Sequence, residues 1–300
     1  MAKESSLIIN RFVGMLWLEH GLSENTQQAY RRDIELFELW LAEKSGEGLL
    51  SVDPGLIHSY LAYRLANSAK ATSIARSLSS IKRFYRYLKR EGLVSIDPSS
   101  NIESPKLGRK LPSTLSEAEV ESLLNAPDLN TAIGQRDYAM IDLMYSSGLR
   151  VSELVMIRTF QYDSERGFVR VVGKGSKERL VPVALATMET LNRYLVETRP
   201  QLLEGNQIDD IMFPSSRAKQ MTRQTFWHRI KVYAAQLGIQ TNLSPHTLRH
   251  AFATHLVNNG ADLRVVQMLL GHSSLSTTQI YTYVAQERMQ SLHALHHPRA

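Results

Sequence analysis

Through the first ninety residues, apolar side chains recur three and four positions apart, the period of one helix face. Asn10 to Glu19 carries Phe12, Met15, Leu16 and Leu18 in this way. Ser23-Glu24-Asn25-Thr26 reads as a helix start, followed by Tyr30, Ile34, Phe37 and Leu41, and Gly46-Glu47-Gly48 breaks the run. Asp53-Pro54 opens a third helix toward Leu65, with Asp53 as cap and Pro54 in the first turn, where its missing N–H is not needed. A fourth runs from about Thr72 to Arg90 on the stripe Ile74, Leu78, Ile81, Phe84, Leu88. Helices with one apolar side bury it against each other, so these form a small bundle.

The pattern then stops. Residues 104–112 read Ser-Pro-Lys-Leu-Gly-Arg-Lys-Leu-Pro, whose prolines, glycine and three cations make an extended basic linker. Beyond it Ser116-Glu117-Ala118-Glu119 is a capping-box start. Helices are expected at about 116–125, 134–147, 184–198, 222–237, 245–259 and 262–270. Phe168–Val172 and Glu178–Val183 are β-like and flank Gly173-Lys174-Gly175-Ser176-Lys177, a hairpin with Lys174 at its tip. The chain is therefore expected to be mainly α with a small antiparallel β-sheet: an N-terminal helical bundle over 1–103, the linker, and a C-terminal α+β domain over 113–300. A length of 300 residues agrees with two cores rather than one.

Composition narrows the function classes. No cysteine occurs, which removes disulfides, thiolate metal sites and cysteine nucleophiles together. No apolar run approaches a membrane span, and Met1-Ala2-Lys3-Glu4-Ser5-Ser6 lacks a signal-peptide core, so a cytoplasmic location is expected. The net charge of +6 permits an anionic partner, and its placement says more. Between Asp53 and Glu91 there is no acidic residue, while Arg64, Lys70, Arg76, Lys82, Arg83, Arg86, Lys89 and Arg90 all fall there. Arg76, Lys82, Arg83 and Arg86 are the candidate DNA-binding side chains, because neutralising phosphates releases counterions. Ser73, Ser77 and Ser80 lie on the same helix, and small hydroxyls would let it approach phosphates closely.

The chemistry sits in the second part. His246-x-x-Arg249-His250 puts two histidines on one helix face, but Thr247 stands where a zincin needs its glutamate, so a metal site is disfavoured. Gly173-Lys174-Gly175 lacks the spacing of a nucleotide P-loop and joins two strands, so ATP binding is disfavoured as well. Arg150 lies just past Gly148 and just before Ser152-Glu153, near a helix N-terminus where an oxyanion is favoured. Downstream come Gly271-His272 and Tyr281, with Tyr283 a second candidate phenol from the residues alone. Attack of a phenol on a phosphodiester builds negative charge on the non-bridging oxygens. Fixed arginine and histidine donors stabilise that charge, and a lysine protonates the leaving alkoxide.

These motifs carry a resemblance. Ser146-Ser147-Gly148-Leu149-Arg150-Val151-Ser152-Glu153-Leu154, Gly173-Lys174-Gly175-Ser176-Lys177-Glu178-Arg179, Ser244-Pro245-His246-Thr247-Leu248-Arg249-His250, Leu270-Gly271-His272 and Thr277-Thr278-Gln279-Ile280-Tyr281 resemble the tyrosine site-specific recombinases, the λ-integrase family, in its chromosome-dimer branch. The resemblance spans essentially the whole chain. It implies that Arg150, His246, Arg249 and His272 activate the phosphate and that Lys174 is the general acid. Tyr281 would be the nucleophile, forming a 3′-phosphotyrosyl link. It further implies a Holliday junction intermediate, no cofactor, and a clamp on a dif-like double-stranded DNA site. A XerC-like recombinase in a heterotetramer and an FtsK-like DNA translocase are the implied partners, and a terminal helix at about 286–296 would dock on a neighbouring protomer. Glu153 and His250 are read as orienting or structural. The family usually has His two positions after the nucleophile, where this chain has Tyr283. A phage or plasmid integrase, a topoisomerase-like relaxase and a non-catalytic architectural DNA-binding protein are the other readings.

Overall fold

The computed structural model describes residues 2–105, 114–172, 178–203, 210–239, 243, 245–270 and 291–299. The chain forms two compact units, Met1–Lys110 and Leu111–Ala300.

The first unit consists of α1 (Ala2–Leu18), α2 (Glu24–Lys44), α3 (Pro54–Ala66) and α4 (Ala71–Arg90). α1 starts earlier than the apolar stripe from Asn10 predicts, because Ser5, Ile8 and Ile9 continue the buried face. Asp53 caps α3 by accepting the Leu56 N–H at 2.8 Å. The predicted stripes meet in one core that includes Phe12, Leu16, Ile34, Phe37, Leu41, Ile57, Leu78, Ile81, Phe84 and Leu88.

The second unit is mostly helical around a three-stranded antiparallel sheet. α5 (Glu117–Leu124) begins at the predicted capping box: the Ser116 N–H donates to Glu119 Oε2 at 2.8 Å and the Glu119 N–H to Ser116 Oγ at 3.2 Å. α6 (Ala132–Ser147) is buried on nearly every side and runs through the core. α7 (Val151–Met156) follows, then a 3₁₀ turn (Thr159–Gln161) and the strands β1 (Tyr162–Asp163), β2 (Phe168–Val172) and β3 (Glu178–Pro182). The sheet order is β1-β2-β3, and β2 pairs β3 from Phe168 opposite Pro182 to Val172 opposite Glu178. Val169, Val171 and Val181 turn into the core. β1, only two residues long, is too short to show a period and is absent from the sequence reading.

The single helix expected over 184–198 is interrupted. α8 (Leu185–Arg193) passes through a π-helical turn (Tyr194–Thr198) into α9 (Arg199–Leu202). Pro200 has no N–H to donate back along the helix, and the wider turn accommodates it. The turn also aims Tyr194 inward, where its hydroxyl donates to the Met212 carbonyl at 3.0 Å and its ring stacks on Phe213. α10 (Arg223–Gln236), α11 (Pro245–Asn258) and α12 (Leu263–Leu269) complete the unit, with a terminal helical segment at 291–296. Among the described residues no helix is long and apolar enough to cross a membrane.

Candidate active site

The site is built around the end of α6. Gly148 ends that helix in the left-handed conformation, φ 61°, and its N–H donates to the Met144 carbonyl at 3.0 Å. A Cβ at Gly148 would lie 2.5 Å from Phe252 Cδ1, so close packing as well as φ demands glycine here. The turn makes Arg150 the residue before α7. Its N–H donates to Glu153 Oε2 at 2.7 Å, satisfying one free helix-start donor, and its Nη1 donates to Glu153 Oε1 at 2.9 Å.

Glu153 holds a second arginine. Arg179, on β3, donates Nη1 to Oε1 at 2.7 Å and Nη2 to Oε2 at 2.9 Å, a bidentate pair in a buried place. Burial works to raise the Glu153 pKa, but Arg179 and Arg150 outweigh it and hold the carboxyl below its ordinary value. One ionised carboxylate thus ties the β2–β3 hairpin to the start of α7 and fixes the direction of Arg150. Arg179 was missed in the sequence reading because it lies outside the His/Arg/Tyr cluster; the signal available was a cation two residues past the hairpin turn.

Arg249 arrives from α11. Its Nη1 donates to the Gly148 carbonyl and its Nη2 to the Leu270 carbonyl, the latter at 2.6 Å, so two loop ends orient the guanidinium. Burial first and Arg150 second push its pKa down to about 10, which leaves it charged at neutral pH. Three guanidiniums around one carboxylate leave an excess of positive charge, the condition an oxyanion needs.

The structure therefore brings Arg150 and Arg249 together, a hundred residues apart in sequence. His246 falls on α11 one turn before Arg249, and β2 and β3 flank the segment that carries Lys174. The His246 side chain, Lys174, His272 and Tyr281 lie outside the described residues. Glu153 orients Arg150, while His250 is exposed. Behind the site, His255 is buried, with Nδ1 2.8 Å from the Tyr145 hydroxyl and Nε2 2.8 Å from the Leu115 carbonyl.

The basic helix α4 is more constrained than its sequence suggests. Arg76, Arg83 and Arg90, seven apart, each find a partner on the opposing helices or the turn after α1. Arg76 Nη2 donates to the buried Asp33 at 2.9 Å, Arg83 Nη1 to the Tyr30 hydroxyl at 3.2 Å, and Arg90 to Glu19 at 2.7 and 2.8 Å. Ser77 and Ser80 are a correction: both are buried, and Ser80 Oγ donates to Asp33 at 2.8 Å rather than facing solvent. They sit one and four residues past Arg76, on the inward side of α4, so they cannot serve a phosphate approach. Lys82, Arg83 and Arg86 line a surface depression of about 490 Å³ with His20, Tyr30 and Arg90.

Residues 113–288 match the Phage integrase family, and residues 9–92 match its N-terminal SAM-like domain. Among curated relatives the chain is 57% identical over 292 residues, 97% of each chain, to Tyrosine recombinase XerD of Pseudomonas putida. It is 53% identical to that of Proteus mirabilis over 99% of this chain and 95% of the other. Among solved structures it shares its fold with the Tn1549 transposon integrase, at TM-score 0.71 and 18% identity over 94% of this chain and 98% of that one. The same holds for a λ-integrase tetramer bound to a Holliday junction, at TM-score 0.70 and 19% identity over 94% and 77%. With a family match over most of its length and relatives this similar end to end, the chain belongs to the phage integrase family, as a tyrosine recombinase of the XerD type that exchanges DNA strands.

Proposed function

We propose that this recombinase resolves chromosome and plasmid dimers in the cytoplasm, acting at a dif-like site with a XerC-like partner and under an FtsK-like translocase. The observation that carries this reading is its 57% identity across 97% of both chains with a XerD recombinase. The Arg150–Glu153–Arg179 tie and the converging Arg249 support the chemistry.

In this reading Arg150 and Arg249 hold the non-bridging oxygens of the scissile phosphate, with His246 and His272 beside them. The Tyr281 hydroxyl attacks phosphorus and gives up its proton to water as the new P–O bond forms. The bond to the 5′ oxygen breaks, and Lys174 protonates the departing alkoxide. The phosphotyrosyl link retains the phosphodiester's energy, so a 5′-hydroxyl from the second duplex re-forms the backbone and expels Tyr281. Repeating the exchange on the other strand pair resolves the Holliday junction. Lys82 and Arg86 with Arg76 and Arg83 are the proposed DNA contacts of the first unit, Arg76 and Arg83 in orientations held by Asp33 and Tyr30.

The test is covalent trapping on a nicked suicide duplex bearing a dif-like core. Tyr281→Phe is expected to abolish the covalent complex while DNA binding survives. A complex that persists through Tyr283 would overturn the assignment of the nucleophile, and cleavage indifferent to the core sequence would overturn the recombinase reading in favour of a relaxase.

A further inference from the structure

Arg249, Phe252 and His255 follow one another at three-residue intervals on α11, and all three engage the end of α6. Arg249 donates to the Gly148 carbonyl, Phe252 closes against Gly148, and His255 reaches Tyr145 in the last turn of α6. His255 is buried, and both of its ring nitrogens are engaged. Nδ1 lies 2.8 Å from the Tyr145 hydroxyl, and Nε2 lies 2.8 Å from the carbonyl of Leu115, itself buried just before the Ser116 cap of α5. A carbonyl only accepts, so Nε2 carries a proton and donates it; in the neutral ring Nδ1 then accepts the Tyr145 O–H. Burial pushes the Tyr145 pKa well up, so the phenol keeps the proton it donates. Asn259 Nδ2, one turn further along α11, donates to Glu117 Oε1 at 3.4 Å and holds the start of α5 at a second place.

We propose that His255 is a positioning residue for strand cleavage: it pins α11 to Tyr145 and to the Leu115 carbonyl, and so sets where the Arg249 guanidinium lies along the end of α6. Arg249 is aimed by the Gly148 and Leu270 carbonyls, which it meets only while α11 keeps its register on α6. The packing of Phe252 is non-directional and resists sliding or rotation weakly. The two hydrogen bonds of His255 are directional and fix both. Without the imidazole, the Tyr145 hydroxyl and the Leu115 carbonyl would be buried without these partners, and a shift of α11 that relieved them would carry Arg249 off the phosphate. Misplacement by an ångström can cost on the order of 10² in rate. The inference deepens the recombinase reading and rests on it.

Single-turnover covalent trapping on a nicked duplex with a dif-like core tests it, below each variant's Tm, with DNA affinity measured in parallel by gel shift on the full chain. His255→Phe keeps a buried ring and removes both bonds, whereas Tyr145→Phe removes the hydroxyl alone. H255F is expected to slow covalent complex formation about tenfold, short of the 10²–10³ for outright loss of a fixed donor, with DNA affinity unchanged. The H255F/Y145F double variant should be about as slow as H255F, because the two side chains act through one bond; losses that multiply overturn the link. A second duplex carries a methylphosphonate at the scissile position. It has one anionic oxygen fewer and asks less of Arg249, so the gap between H255F and wild type should narrow to about threefold or less. An equal deficit on both duplexes marks general damage to the fold and overturns the proposal, as does wild-type cleavage by H255F or a loss that merely tracks DNA binding. Should H255F fold poorly, Y145F gives the same reading: slower cleavage with retained binding and a narrowed gap supports the proposal, and an unchanged rate overturns it. If wild-type protein forms no covalent complex, the recombinase reading falls and this role with it, whereas an active wild type with unaffected variants sinks the role of His255 alone.

Discussion

Replacing Glu153 by Gln removes the one carboxylate that Arg150 and Arg179 share and leaves their charges, with that of Arg249, unopposed at the end of α6. Breaking a buried ion pair by removing one partner costs about 3–5 kcal/mol. Arg150 is partly exposed, with 36% of its side-chain surface accessible, and the amide oxygen of Gln still accepts one bond, so the lower end applies, about 3 kcal/mol. For a unit of this size that corresponds to a fall in Tm of roughly 6–12 °C. Activity should fall further than stability alone explains, because Arg150 loses its direction: roughly 10² in the rate of covalent complex formation, near the low end for loss of a fixed oxyanion donor. The assays are thermal denaturation followed by circular dichroism and single-turnover trapping below the variant's Tm. Adding Arg179→Gln to E153Q should cost less than the two single changes summed, because the second change removes a charge that the first left unpaired. A Tm within 2 °C of wild type (roughly 1 kcal/mol or less), together with an unaltered cleavage rate, would refute the claim that Glu153 organises the site.

Gly148→Ala places a Cβ 2.5 Å from Phe252 in a left-handed turn, and a destabilisation of about 2–4 kcal/mol is expected by denaturant unfolding; an unshifted midpoint would contradict the packing argument. Burial, reinforced by His293, Arg299 and His255, pushes the His297 pKa down to about 3, so the folded chain holds this ring neutral. The unfolded chain protonates it below about pH 6.5, so its contribution is intact above that pH and lost as pH falls toward the folded value. Between pH 6.5 and 4.5 the loss is about 2–3 kcal/mol. His297→Phe should flatten that part of the stability curve, and parallel curves for the two proteins would count against a neutral buried imidazole.

Legibility followed the range of the forces involved. The four N-terminal helices, the capping box at Ser116 and the β2–β3 hairpin were readable because each depends on periodicity or capping within a few residues. The π turn before Pro200 and the short β1 strand were not, since one depends on where Tyr194 finds a partner and the other on only two residues. On α4 the sequence displays a run of cations with no acid near it, yet two of those arginines pair with carboxylates from elsewhere in the same unit, Asp33 and Glu19, while a third donates to the Tyr30 hydroxyl. Charge counted along the chain overstates the charge left for a ligand, because the opposing groups arrive through folding.

The sequence by itself determined the helical character of both parts and offered the residue types that attack of a phenol on a phosphodiester would use. The resemblance put Arg150 and Arg249 on one phosphate but left Glu153 and Arg179 with no shared role. Only the tertiary structure decided that Gly148, Glu153 and the end of α6 form one scaffold for both arginines, and that His255 joins α11 to the same helix end. The physical reason is that periodicity and capping act between neighbours, whereas the direction of Arg249 is set by carbonyls 101 and 21 residues away, and the carboxylate that holds Arg150 also binds Arg179, 26 residues on, groups that meet only when the core packs.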